Sequence, residues 1–390
     1  MKTVVVIVEG VADVPRKELE GRTPLAVARC PVATRLASEG RCGLLGVPGS
    51  DKHRRQEVLM AALCGVPMDE ALHLNRGPLE LAGTGAKSEG YDFVYAGNYV
   101  TMDEHAIREN CLSRLSVKET AALTESVQSH FDPAVVRFVT LAGSRVLVLV
   151  KSEEMALAPG TPPALVEDDA RAFLPPGKRG ELACTIMDRA AKALADVTIN
   201  DVRLDLGENP ATHLWLWGGG KPYAPKSILG GQARKGCVLT QSWMARGFAR
   251  AFGMDVIPLE DPWAEDAEDS ALDVAVVKGR LKETDFLLVF IEAPQKPAGY
   301  GTAAEKVRLL ERMDLLVLAP LVEALAGTGP CRVLLTSDGV VPARADRVPA
   351  VLWGEGVAAD AANHWDEASC GDGDFDVKSV EKAFGELTGM

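Results

Sequence analysis

Val4-Val5-Val6-Ile7-Val8, followed at once by Glu9-Gly10-Val11-Ala12-Asp13, decides the fold class. Five consecutive β-branched or aliphatic residues leave no polar face, the pattern of a strand buried on both sides of a parallel sheet. The run breaks at a glutamate and a glycine. A carboxylate therefore stands at the strand's carboxyl end, where the ligand sites of open α/β sheets collect.

Working outward, residues 31–40 read as a helix with Pro31 at its start and Gly40 as its stop, and 56–64 as another. After a long middle stretch the alternation resumes. A helix over 181–196 precedes a strand over 212–217 that ends in Gly218-Gly219-Gly220. A helix over 242–252, stopped by Gly253, leads into a strand over 255–258. Residues 285–292 form a further buried strand and 305–326 a long amphipathic helix. Residues 332–336 form a strand running into Ser337-Asp338-Gly339, and 348–353 the last one. Strands alternating with helices predict a mostly parallel sheet covered on both faces. The texture differs between 90 and 180, where short strands (92–95, 136–140, 145–150) surround a helix over 117–131. That segment reads as an inserted α+β domain, leaving 1–89 and 181–390 as the α/β core.

The 390 residues carry a formal net charge of −13, with 47% hydrophobic and 25% charged residues. A chain of this length exceeds one ordinary core. The acidic balance excludes a general nucleic-acid binder, which needs an excess of Lys and Arg, but not a small phosphorylated metabolite held by a few local arginines. Eight cysteines (30, 42, 64, 111, 184, 237, 331 and 370) form no CxxC pair and predict reduced, mostly buried thiols. Met1-Lys2-Thr3-Val4 runs straight into the strand with no signal-peptide pattern, and no apolar run reaches membrane-spanning length, so the expected location is the cytoplasm.

Pro48-Gly49-Ser50-Asp51 precedes the helix at 56. A hydroxyl at a turn that opens a helix lies where amide groups and the helix dipole favour an anion, a suitable place for a serine that handles phosphate. The same serine also reads as a simple N-cap.

Taken in order, several segments are similar to a known family. They are Glu9-Gly10-Val11-Ala12-Asp13, Lys17-Glu18-Leu19-Glu20-Gly21-Arg22-Thr23-Pro24-Leu25 and Pro48-Gly49-Ser50-Asp51. Asn75-Arg76-Gly77-Pro78-Leu79-Glu80, Arg145-Val146-Leu147-Val148-Leu149, Gly218-Gly219-Gly220 and Thr336-Ser337-Asp338 follow. The chain resembles the archaeal-type, cofactor-independent phosphoglycerate mutases of the alkaline phosphatase superfamily. The resemblance implies an alkaline-phosphatase-like α/β core with an inserted substrate-binding lid, and phosphoryl transfer between the two hydroxyls of glycerate through a serine at the Ser50 position. It implies two divalent cations, Mn or Mg, held by carboxylates and histidines at strand ends. It also places Arg76, Arg114 and Arg145 on the substrate's carboxylate and phosphate.

The family's metal ligands carry over in part. Glu9 stands for the first aspartate and Asp338 for a later one, so Glu9 and Asp338 are the residual ligand positions. Lys296 and Tyr300 stand where the family has an aspartate and a histidine, and Gly339 where it has another histidine. The expectation is that the cations bind weakly or not at all. Two readings follow: a phosphoglycerate mutase, or a degenerate, metal-free relative that binds a phosphorylated or carboxylated metabolite as a sensor or partner. A third gives Lys296 or Tyr300 a new acid–base role, and His53 is the histidine nearest Ser50.

Overall fold

The computed structural model describes residues 1–47, 55–112, 115–152, 163, 166, 169–174, 177–222, 236–263, 271–294, 301–339, 347–375, 377 and 379–389. Its strands are β1 (Lys2–Val8), β2 (Arg41–Gly46), β3 (Phe93–Asp103), β4 (Ala106–Glu109), β5 (Val136–Thr140) and β6 (Arg145–Val150). They continue with β7 (His213–Gly220), β8 (Gly236–Thr240), β9 (Asp255–Pro258), β10 (Phe286–Ile291), β11 (Cys331–Ser337) and β12 (Arg347–Gly354). Contacts divide the chain into one unit of Met1–His73 with most of Pro225–Met390, and a second of Leu74–Ala224.

The first unit is built on a seven-stranded sheet in the order β2-β12-β11-β1-β10-β8-β9. β1 lies near its middle, parallel to β10 through Val4↔Leu287 and to β11 through Val4↔Val333. β8 and β9 extend the parallel set, while β12 runs antiparallel to β11 and to β2. Val4 to Val8 are 0–1% exposed, which is the burial on both faces that their β-branched run predicts. Each such side chain removed from water contributes about 1.5–3 kcal/mol. Val4, Val6 and Val8 pack with the helices Pro31–Glu39, Val274–Glu283 and Ala303–Met313. The helix Gln56–Leu63 contacts both Trp243–Ala251 and Val380–Thr388, and these two reach β8 and β11 respectively. The mostly parallel α/β sheet with helices around it matches the fold class read from the sequence.

The second unit contains an antiparallel sheet in the order β4-β3-β6-β5, with β7 paired to β3 on the side away from β6. Its core joins β3, β5, β6 and β7 to the helices Val117–Gln128 and Lys178–Leu194. Here the structure departs from the sequence reading, which puts residues 181–196 and the strand at 212–217 in the core sheet and begins the insertion at 90. Leu214, Trp215 and Leu216 are all at most 3% exposed. A run buried on both faces reads alike whether its partners are parallel or antiparallel, and β3 is its actual partner.

The helix Pro31–Glu39 has no side-chain cap of its own. Its cap comes from Asp314, in the π-helical turn Asp314–Leu318 that continues the helix Ala303–Met313. The Asp314 carboxylate accepts from Val32 N at 3.0 Å and Ala33 N at 2.8 Å while 1% exposed. It thus satisfies two of the orphan donors of a helix N-terminus. All eight cysteines are free thiols, five of them buried. Among the described residues no helix is long and apolar enough to cross a membrane.

Replacing Asp314 with Ala strips the cap from residues 31–39. The expected loss is about 1–2 kcal/mol, read as a lower urea midpoint with an unchanged m-value.

Candidate functional site

Each unit carries one set of the side chains singled out by the sequence. In the first unit, β1 and β11 are parallel neighbours with Val8 opposite Ser337. Glu9 and Asp338 therefore emerge side by side at the carboxyl edge of the sheet. Asp338, 7% exposed, accepts a 2.8 Å hydrogen bond from Gly10 N through Oδ1. The Glu9 carboxylate accepts from Ala293 N at 2.9 Å, just past β10, and from the Gln56 side-chain amide in the first turn of Gln56–Leu63. The rim is thus three neighbouring strand ends joined by two carboxylates. Gln56 was not anticipated; the signal for it is a lone amide heading a helix that is apolar from Val58 onward.

Ser50, His53, Lys296 and Tyr300 lie outside the described residues, as does Arg114. No group of three His, Cys, Asp or Glu side chains able to hold a metal ion forms among the described residues. Both Glu9 oxygens and Asp338 Oδ1 already accept hydrogen bonds from the protein. A hard divalent cation takes six or more oxygen ligands, so Glu9 and Asp338 alone do not fit a pair of cations.

In the second unit, Arg76 opens the helix Arg76–Thr84 and Arg145 opens β6. Both reach the same carboxylate oxygen. Arg76 Nε donates to Glu80 Oε1 at 2.6 Å, one helical turn on, and Arg145 Nη2 donates to that oxygen from the sheet. Trp217 on β7 presents its ring to both guanidiniums, at 5.8 Å from Arg76 Cζ and 5.5 Å from Arg145 Cζ. The indole N–H is fixed by a 2.8 Å bond to Asn98 Oδ1 on β3, between the two flanking strands. The glycine run after Trp217 has a steric cause. Gly218 has φ +55°, and a Cβ there would lie 2.7 Å from Arg76 Cβ. Only glycine lets β7 approach the start of this helix so closely.

Glu80 is 1% exposed and Arg76 3%. Burial by itself would raise the Glu80 pKa, but the positive charges of Arg145 and Arg76, with the hydrogen bonds they donate, hold it below the ordinary glutamate range. Two guanidiniums meet one carboxylate beside an aromatic face. Such a site can hold an anion, because guanidinium forks fit carboxylate and phosphate oxygens alike. Arg76 and Arg145 thus converge as a pair. Glu80, which joins them, was missed, although Arg76 and Glu80 stand at i and i+4.

Removing one member of such a buried pair costs about 3–5 kcal/mol, and Glu80→Gln is expected to lose that much in urea unfolding. The pH dependence has a definite sign. A carboxyl whose folded pKa is depressed stabilises the fold above its unfolded value, about 4.3. That contribution disappears as pH falls through the lower folded value. Wild type should therefore lose stability over this acid range more steeply than Glu80→Gln.

The sequence profile of the 2,3-bisphosphoglycerate-independent phosphoglycerate mutases matches residues 37–200. The chain is 28% identical over 380 residues to 2,3-bisphosphoglycerate-independent phosphoglycerate mutase 2 of Methanothermobacter thermautotrophicus, covering 96% of this chain and 94% of that protein. It is 29% identical over 385 residues to the mutase of that name from Methanothrix thermoacetophila, covering 96% of each. Among solved structures, a protein from Pyrococcus horikoshii aligns with a TM-score of 0.67 at 19% identity, over 100% of this chain and 97% of that one. The cofactor-independent phosphoglycerate mutase from Thermoplasma acidophilum aligns with a TM-score of 0.52 at 21% identity, over 100% and 99%. These two likenesses establish the fold. Nearly end to end, the chain is similar to the 2,3-bisphosphoglycerate-independent phosphoglycerate mutases.

Proposed function

We propose that the chain interconverts 3-phosphoglycerate and 2-phosphoglycerate, with Ser50 as the transient phosphoryl carrier. The observation that carries this reading is the convergence of Arg76 and Arg145 on Glu80 and Trp217, in a chain whose relatives bear the mutase name. Ser50 Oγ attacks phosphorus and forms a P–O bond as the bond to the 3-oxygen breaks. The glycerate 2-hydroxyl then attacks the phosphoserine and returns Ser50 as a free hydroxyl. The Arg76–Arg145 pair holds the anionic end of glycerate through the exchange, so that one bound molecule presents first one hydroxyl and then the other. Arg114 is proposed as a third contact to the substrate. Glu9 and Asp338 are the chain's own candidates for contact with a divalent cation.

A second reading, binding of the same class of anion without turnover, draws support from Glu9, whose two oxygens both accept hydrogen bonds within the protein. A coupled assay for 2-phosphoglycerate formation, with and without Mn²⁺ or Mg²⁺, separates the two. Turnover that is abolished in Ser50→Ala supports the mutase. Folded wild-type protein with no turnover in either metal overturns it. Arg145→Met, which removes a charged hydrogen-bond donor worth about 1.5–3 kcal/mol, should lower kcat/KM about 10–100-fold. If activity is absent, the same substitution should weaken 3-phosphoglycerate binding in calorimetry.

A further inference from the structure

The turn Glu9–Asp13 that carries the rim glutamate is gripped at its far end by charges the preceding chemistry does not use. Lys306 lies on the helix Ala303–Met313, where it occupies the first place of the buried stripe Lys306, Leu309, Leu310 and Met313. That i, i+3, i+4, i+7 spacing is the core-facing stripe of an amphipathic helix, and a lysine there is out of place without a partner. Lys306 is 3% exposed; its Nζ donates to Asp13 Oδ2 at 3.0 Å and to Ala12 O at 3.3 Å. From the helix Glu367–Asp372, Glu367 Oε1 accepts Asp13 N at 2.8 Å, and its Oε2 accepts the Thr23 hydroxyl at 2.6 Å. Arg16 Nη2 donates to Asp13 Oδ1 at 2.8 Å. Two cations and two carboxylates therefore gather beneath the turn, and their hydrogen bonds reach its backbone at Ala12 O and Asp13 N. At the near end Gly10 N is held by Asp338.

We propose that Lys306 and Glu367 are positioning residues, which fix the turn Gly10–Asp13 so that the Glu9 carboxylate is presented at the rim beside Asp338. Neither touches Glu9 in the contacts above; they act through the backbone of the turn. A buried lysine serving only the core would be better replaced by a hydrophobic side chain of similar volume. The specific geometry, with one ammonium shared between a carboxylate and a main-chain carbonyl of the same turn, is what a clamp requires. The kinetic part of the test rests on the mutase reading; the structural part does not.

The test compares wild type, Lys306→Met and Lys306→Arg by amide hydrogen exchange, reading residues 10–14 against residues 286–291 of β10. Lys306→Met should speed exchange in the turn at least tenfold with β10 unchanged, and Lys306→Arg, which keeps a cationic donor, should recover most of the protection. If wild type turns over 3-phosphoglycerate, Lys306→Met should lower kcat with KM held. Unchanged exchange in the turn, or equal acceleration in turn and β10, overturns the clamp. Where Lys306→Met does not yield folded protein, Glu367→Ala is read in the same way, through the amides that follow Ala12. Absence of turnover in wild type would sink the mutase reading while the exchange result still decides the clamp.

Discussion

The pairing of β1 on both of its edges governs the first unit. Every residue from Val4 to Val8 has a hydrogen-bonded neighbour in β10 and another in β11, and both faces of the strand are closed by side chains. A strand so enclosed has no register freedom: a slip by one residue would send each branched side chain to the opposite face. The point at which Glu9 leaves the sheet is therefore set by the core. The same holds for Asp338, the residue after β11, and the two carboxylates are neighbours because their strands are.

The second unit reaches a comparable result by other means. Its arginines come from a helix start and a strand start that are distant in sequence, and one buried glutamate gathers them. Burying a carboxylate is costly unless its charge is matched. The glutamate and the two guanidiniums each make the others' burial tolerable, and the indole of Trp217 supplies a polarisable wall in place of water. The anion-binding character is a property of the group, since no single member would be stable there alone.

The sequence revealed those parts of this arrangement that local periodicity encodes. β1, β10, β11 and β12 were legible because runs such as Phe286-Leu287-Leu288-Val289-Phe290-Ile291 have no polar face. β2 was not, because Arg41-Cys42-Gly43-Leu44-Leu45-Gly46 carries two glycines, which usually argue against a strand. Gly43 has a tertiary cause: a Cβ there would lie 1.6 Å from the carbonyl oxygen of Phe375. Residues 212–217 were recognised as a strand and given to the wrong sheet, since apolar content records burial but not the direction of the partner. Arg76 and Arg145 were read through family likeness. Glu80 and Lys306 were not, though each had a local signal, an i, i+4 opposite charge and a charge on an apolar stripe. Asp314 offered none, because a cap supplied by a remote segment leaves no trace near the helix it serves.

The strand order also fixes when each unit can be completed as the chain leaves the ribosome. β3 to β7 are all present once residue 220 has been made, so the second unit owns its whole antiparallel sheet early. β1 is made long before its partners β10 and β11. It must stay unpaired on both edges until residue 286 appears, and on one until residue 331. A strand with no polar face from Val4 to Val8 is thus left without neighbours through most of synthesis. Long-range parallel pairing of this kind is slow and leaves sticky edges exposed, so β1 needs protection from aggregation through most of synthesis.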